Sequence, residues 1–247
     1  EPLPEKGVTE IRAANHSFNQ MVKDLERVDQ DRTEILAGIS HDLRTPLARM
    51  RLELEMSSLP EESREGMQAD ISQMDAIVGQ FLDYARLGAP AASETVDISS
   101  LLQVMADEAE RRPGLKLNVS IEKGLSILAS EVDIRRLVNN ILTNAQRYGR
   151  TPESGLAEVD MVCSREGDKV RIEFADNGVG VPESDFERML RPFTRLDDAR
   201  GQANGSGLGL AIVSRIAKRY RGLVQLGNRE RGGFVVSVSF PAVKTPK

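Results

Sequence analysis

Residues 39–50 read ISHDLRTPLARM, a run in which apolar side chains keep helical spacing while a histidine, an acid, a threonine and a proline stand between them. Leu36, Ile39, Leu43, Leu47, Met50 and Leu54 are three or four apart. At about 100° per residue they fall in a stripe roughly 80° wide. The spacing predicts a helix from about Thr9 to Leu59 with little to break it except Gly38 and Pro46. Measured from the stripe, His41 lies at about 140° and Thr45 at about 180°, so both face away from the helix partner, one turn apart. Pro46 has no N–H to give the carbonyl of Asp42 and is expected to bend the helix just past the histidine.

A helix with one apolar side needs cover, and LPEES at 59–63 supplies it. Pro60 is expected to close the first helix. A second then begins, with Met67, Ile71, Met74, Val78, Phe81 and Ala85 as its stripe. Two such helices joined by a short turn predict an antiparallel hairpin. Part of its apolar surface stays open, so two copies are expected to associate as a four-helix bundle, a homodimer. LGAPAASETVD at 87–97 reads as a linker. Beyond it, β-rich runs at 115–121, 158–163, 169–176 and 234–240 alternate with helical stretches near 99–111, 130–148 and 208–220. The fold class is therefore α + α/β: a helical hairpin followed by an α/β sandwich whose mixed sheet, mainly antiparallel, carries helices on one face.

The 247 residues are 40% hydrophobic and 29% charged, ordinary values for a chain that buries a core. The net charge of −5 is spread through both signs, which gives no reason to expect nucleic acid as a partner. Cys163 is the only cysteine. It is read as a small apolar residue in a strand, in a reducing compartment. No apolar run approaches the roughly 18 residues a membrane helix needs, and EPLPEKG does not resemble a signal peptide, so the chain as given is expected to be soluble.

A neutral imidazole can attack phosphorus through one ring nitrogen if the other gives its proton to a carboxylate, and Asp42 is the adjacent acid. SHDLRTPL, residues 40–47, resembles the H box of sensor histidine kinases. Further segments resemble that family's nucleotide-binding motifs in the family's order: NNILTNAQRYG at 139–149 (N box), DNGVG at 176–180 (G1), RPFTR at 191–195 (F) and GSGLGLAI at 205–212 (G2). The motif pattern is nearest that of osmosensor kinases. In the N box, Asn140 and Asn144 stand at i and i+4 on one helical face. The G2 glycines precede a helix without a Walker lysine or a parallel βαβ pattern, which counts against a P-loop or dinucleotide site.

The resemblance implies a GHKL (Bergerat) ATP-binding sandwich, ATP and Mg2+ as cofactors, autophosphorylation of His41, and transfer of the phosphoryl group to an aspartate of a response regulator receiver domain. In the roles it implies, His41 is the nucleophile, Asp42 its base, and Thr45 helps remove phosphate from the regulator. Asn140 and Asn144 hold the metal and phosphates, and Arg147 adds positive charge. Asp176 reads the adenine amino group with Tyr148 beside the base. Gly178, Gly180, Phe193, Gly205, Gly207, Leu208 and Gly209 shape pocket and lid, the lid being 196–207. EIRAANHSFNQM, Glu10–Met21, resembles the second helix of a HAMP relay, with His16 on a solvated face. The expected division is 1–30 HAMP end and signalling helix, 31–88 hairpin, 89–96 linker, 97–242 catalytic domain and 243–247 tail. The chain is then expected to be the cytoplasmic portion of a bacterial inner-membrane protein, attached through a span not included in it. Two other readings stay open: a GHKL-type ATPase without histidine phosphorylation, and a scaffold that binds regulators without nucleotide.

Overall fold

The periodic run around His41 lies in one uninterrupted helix, α1 (Thr9–Glu55), which continues through Pro46. The structure is a computed structural model describing residues 9–87, 93–151, 154–196 and 205–243. Residues 1–8 of the HAMP-like stretch, 89–92 of the expected linker, 197–204 of the expected lid and 244–247 of the tail lie outside the described residues. The chain divides into two units, Glu1–Pro90 and Ala91–Lys247.

In the first unit α1 stops at Glu55 rather than at Pro60, and Pro60 instead opens α2 (Glu61–Arg86) as its N-cap, with φ −56° and ψ 143°. Proline's fixed φ suits a helix start, where its missing N–H breaks no bond. Arg44 Nε donates to Asp75 Oδ1 at 3.2 Å and Arg51 Nη2 to Ser72 Oγ at 3.2 Å, so position rises on α1 as it falls on α2. That is the antiparallel hairpin expected. The single apolar stripe divides, however. Ser40 and Leu54 are buried with Leu36 and Leu47 half-buried, whereas Ile39 and Leu43 each keep 47% of their surface. On α2, Ile71 and Leu82 are buried while Met67 and Met74 remain about half exposed. Each helix thus covers its partner with one edge of the stripe and leaves the other edge bare.

The second unit is an α/β sandwich. β2 (Leu115–Ile121), β4 (Ala157–Glu166), β5 (Lys169–Asp176), β6 (Leu223–Asn228) and β7 (Phe234–Pro241) form one sheet in the order β2-β4-β5-β7-β6. Only the β2/β4 pair is parallel. Register explains its two faces: Leu117 pairs with Val159, Cys163 with Ile172 and Ile172 with Val238, all buried. The intervening positions pair polar groups, among them Asn118 Nδ2, which donates to Asp160 Oδ1 at 2.8 Å. Helices α3 (Ile98–Ala109), α4 (Glu131–Tyr148) and α6 (Gly209–Arg219) supply the opposing apolar surfaces, each with one buried stripe.

Two short strands, β1 (Glu94–Asp97) and β3 (Ser126–Ala129), pair antiparallel apart from the main sheet. β1 starts inside the segment expected to be linker, because Val96 and Ile127 bury side chains that local composition does not pair. Asp97 then caps α3: its Oδ1 accepts from Ser100 N at 3.0 Å and its Oδ2 from Ser100 Oγ at 2.8 Å. The backbone bond from Ser100 is the chief reason its carboxyl titrates below the ordinary range. At the far end of α4, buried Asp133 accepts from Arg136 at 3.1 Å, Arg219 at 3.0 Å and Tyr220 at 2.6 Å, tying the start of α4 to the end of α6. A turn of 3-10 helix at Glu183–Asp185 leads into the short α5 (Phe186–Met189).

Candidate functional site

His41 sits on the side of α1 away from α2, its side chain 84% exposed, as the helical angle requires. Asp42 Oδ1 lies 3.6 Å from His41 Nδ1, and its side chain is equally open. That spacing puts the acid beside Nδ1 and leaves Nε2 facing outward. Pro46, in helix, leaves the Asp42 carbonyl without the usual N–H from four residues on. Thr45 Oγ1 donates to the His41 carbonyl at 3.3 Å, the back-bonding that a mid-helix threonine often makes. Its hydroxyl retains acceptor capacity and stays exposed beside the imidazole's turn. Just inside this surface, Ser40 Oγ is buried with no hydrogen-bond partner among the described residues.

The motif residues of the second unit converge on the C-terminal half of α4. A Cβ placed on Gly209, the first residue of α6, would lie 3.1 Å from the Asn144 amide and 3.4 Å from Asn140 Oδ1, so the helix start is in contact with both. Asn140 Nδ2 donates to the Arg136 carbonyl at 2.8 Å, which fixes the amide and turns Oδ1 outward. The neighbouring Asn139 is spent elsewhere, its Oδ1 accepting from Arg112 at 2.6 Å. Leu208 precedes α6, and its side chain offers no cap to the first-turn N–H groups. Ser206 Oγ accepts from the N–H of Leu208 at 3.1 Å. Uncapped N–H groups at a helix start are suited to an anion.

One turn further along α4, Tyr148 and Arg147 border Gly205: Tyr148 Oη would be 2.7 Å and Arg147 Nη1 3.6 Å from a Cβ there. Gly207 has φ +69°, and a Cβ on it would come within 2.7 Å of the Thr194 carbonyl oxygen and 2.8 Å of the Phe193 carbonyl carbon. The G2 loop therefore lies directly on the F-box backbone. Phe193 itself has φ +62° and an exposed ring, an uncommon conformation for an aromatic residue.

Asp176 ends β5, buried. Its Oδ1 accepts from Gly178 N at 2.9 Å and Phe234 N at 3.0 Å. Burial pushes its carboxyl above the ordinary value, and those two backbone bonds only partly oppose the push. With Oδ1 taken, Oδ2 is the oxygen left for a ligand donor. Gly149 and Gly178 crowd this carboxylate from the end of α4 and from the loop, where a Cβ on Gly149 would be 2.6 Å from Asp176 Cγ.

Asn140, Asn144, Arg147, Tyr148, Asp176, Gly178, Gly205, Gly207, Leu208 and Gly209 are thus assembled around one end of α4, with the backbone at Phe193 beside them. Gly180 instead abuts Asn228, whose Oδ1 would be 2.9 Å from a Cβ placed there. Sequence reasoning missed Asn228 and Arg229 in the β6–β7 turn. Asn228 bonds both the N–H and the carbonyl of Val181, at 3.0 and 2.7 Å, and Arg229 reaches Asn177 at 2.5 Å. The turn RERGG matches no motif that would say what its side chains hold.

An exposed histidine with an adjacent acid on a two-helix hairpin, followed by a sandwich with a glycine-rich helix start facing paired asparagines, defines a phospho-acceptor module joined to an ATPase module. Residues 31–90 match the His Kinase A (phospho-acceptor) domain. Residues 129–244 match the histidine kinase-, DNA gyrase B- and HSP90-like ATPase family. The chain belongs to the sensor histidine kinases. It is 32% identical to the sensor histidine kinase CpxA of Escherichia coli over 98% of its own length and 54% of that protein's. With the histidine-protein kinase BaeS of the same organism it shares 31% identity over 94% of its length and 51% of the relative's. The chain therefore spans about half the length of the curated relatives it matches. Among solved structures, full-length ShkA in complex with AMPPNP superposes with a TM-score of 0.67 at 29% identity, covering 87% of this chain and 47% of that one.

Proposed function

We propose that the chain autophosphorylates His41 from ATP held by the second unit and passes the phosphoryl group to an aspartate of a response regulator. The observation that carries this reading is the pairing of Asp42 with His41 Nδ1 at 3.6 Å on a fully open helix face. The γ-phosphorus accepts the Nε2 lone pair as its bond to the β–γ bridging oxygen breaks and ADP leaves. The Nδ1 proton, made acidic by the new N–P bond, is taken up by Asp42. Positioning and charge neutralisation do most of the work in such transfers. The uncapped start of α6 and Arg147 receive the phosphate charge, while Asp176 Oδ2 accepts the adenine amino proton. Gly178, Gly205, Gly207 and Leu208 shape the pocket around them, with Gly180 holding the loop turn and Phe193 at its rim.

Asn140 and Asn144 fit Mg2+, since hard amide oxygens suit that ion and the Asn140 amide is fixed with its oxygen outward. A bound Mg2+ would neutralise phosphate charge between these residues. Thr45 is placed to orient water for dephosphorylation of the regulator docked at His41. The bare edges of α1 and α2 support a homodimer. The HAMP-like pattern at Glu10–Met21 supports a place on the cytoplasmic side of a bacterial inner membrane.

The test is incubation with labelled ATP and magnesium, then a panel of receiver domains. Label that survives alkali, is lost in acid, is absent from His41→Gln and moves to a receiver bears the proposal out. ATP hydrolysis with no protein-bound label would leave an ATPase instead.

A further inference from the structure

The loop that carries Asp176 is not self-supporting. Between Asp176 and Val181 it is held at three points by a single hairpin end: the five-residue turn 229–233 and the two strand residues that flank it, Asn228 of β6 and Phe234 of β7. Phe234 N donates to Asp176 Oδ1 at 3.0 Å. Arg229 Nη1 donates to Asn177 Oδ1 at 2.5 Å, while its Nη2 is bonded to Asp160 of β4. Asn228 closes the far end by bonding both backbone groups of Val181. The turn itself is tied by Arg229 N to the Gly233 carbonyl at 3.0 Å and Gly232 N to the Arg229 carbonyl at 3.2 Å. Gly233 sits so close that a Cβ on it would fall 2.0 Å from the Asp176 carbonyl oxygen.

The guanidinium is the element that links this turn to the rigid sheet. It is mostly buried, with 27% of the side chain exposed, and forks between a loop residue and a strand residue. Asp160 is in turn fixed by Asn118 of β2 at 2.8 Å. Burial would raise the Asp160 carboxyl, but the bonds from Asn118 and Arg229 and the charge of Arg229 outweigh it, so it stays ionised. A chain of polar contacts therefore runs from β2 through β4 and Arg229 to the residue directly after Asp176.

We propose that Arg229, by bridging Asp160 and Asn177, is a positioning residue that sets Asp176 for recognition of the 6-amino group of the purine, and so sets the preference for adenine nucleotides. The proposal rests on the reading of Asp176 as the acceptor of that amino group. Arg229 touches no nucleotide in this scheme; it acts on where the carboxylate stands. Its planar fork is the feature that matters, because a lysine delivers one point charge and cannot hold both partners.

The experiment measures affinities of the full chain for ATP and for inosine triphosphate, which carries a carbonyl in place of the 6-amino group. Wild type should prefer ATP. Arg229→Ala and Asn177→Ala should each weaken ATP binding roughly tenfold, as small misplacements of a recognition group do, and leave inosine triphosphate binding nearly unchanged, so the preference collapses. The double variant should lose no more than either single one, and Arg229→Lys should fall between. Asn177→Ala leaves the Arg229–Asp160 pair intact, so it decides the matter if Arg229→Ala does not fold. A lowered thermal midpoint with the ATP preference preserved would overturn the proposal and make Arg229 a brace of the sheet alone. No preference in wild type would instead fail the adenine reading of Asp176, and the proposal with it.

Discussion

Replacing Asp176 by Asn should separate nucleotide recognition from folding, in opposite directions. Oδ1 already accepts two backbone N–H groups, from Gly178 and Phe234. An asparagine must therefore place its oxygen there and its NH2 where Oδ2 stood. The adenine amino group would then meet a donor instead of a charged acceptor. Loss of one hydrogen bond to a charged group costs about 1.5–3 kcal/mol, which at about 1.4 kcal/mol per tenfold is roughly a 10- to 150-fold loss of ATP affinity. Stability behaves otherwise. Burial raises the carboxyl above its unfolded value despite the two bonds, so the folded state binds that proton more tightly than the unfolded one. The stability this contributes is present below the unfolded pKa and is lost as pH rises through the folded one. At neutral pH the charge thus weighs against the fold, and the neutral amide should leave the ligand-free thermal midpoint unchanged or higher. For the same reason, wild-type ATP affinity should fall on acidification from a higher pH than a solvated carboxylate would give, and Asp176→Asn should not show that fall. Titration with AMPPNP beside thermal melts checks both halves. ATP affinity within threefold of wild type, or a midpoint several degrees lower without ligand, would refute the reasoning.

Gly207→Ala should cost about 2–5 kcal/mol, combining about 1–2 for the left-handed backbone with about 1–3 for overpacking against the backbone of Phe193 and Thr194; denaturant melts of the full chain measure it. Asp133→Asn should cost about 3–5 kcal/mol by leaving the mostly buried guanidinium of Arg219 without its charged partner, and Tyr220→Phe should cost only about 1 kcal/mol, again by denaturant melts. Thr45→Ala should keep labelling of His41 and transfer to a receiver but slow dephosphorylation of the phosphorylated regulator in the presence of ADP. Equal rates would leave the hydroxyl to its bond with the His41 carbonyl.

What was legible in the sequence follows the range of the interactions involved. β2 and β5 appear at the residues expected, because alternation with period two is a local consequence of one buried face. α4 needed one change at its start, where its caps and periodicity are also local. β1 and β3 were not legible: each has four residues, and the pairing of Glu94 with Ala129 joins positions far apart in the chain. β6 is an edge strand with little burial to betray it. The same distinction divides the site. Asn140, Asn144, Asp176 and the G2 glycines lie in contiguous motifs, whereas Arg229 finds its partners 52 and 69 residues away. Nothing in NRERGG names Asn177 or Asp160.

Periodicity also conceals a choice in the hairpin. A stripe 80° wide is broad enough to serve two neighbours, and the angular reading could not say which edge met which. The structure gives Ser40 and Leu54 to α2 and leaves Ile39, Leu43 and Met50 bare. A serine thus takes a core position one residue from His41, with a hydroxyl that no described group satisfies. A buried hydroxyl without a partner costs about 1–3 kcal/mol, so the packing around His41 is weaker than a Leu or Ala at that position would give. Three features of the helix therefore meet near the histidine: the Ser40 hydroxyl that no described group satisfies, the missing N–H of Pro46, and Gly38, where an added Cβ would meet no described atom within 4 Å. If His41 is the nucleophile proposed above, reached first by a nucleotide domain and then by a regulator, a helix with fewer satisfied groups around it would ease both encounters.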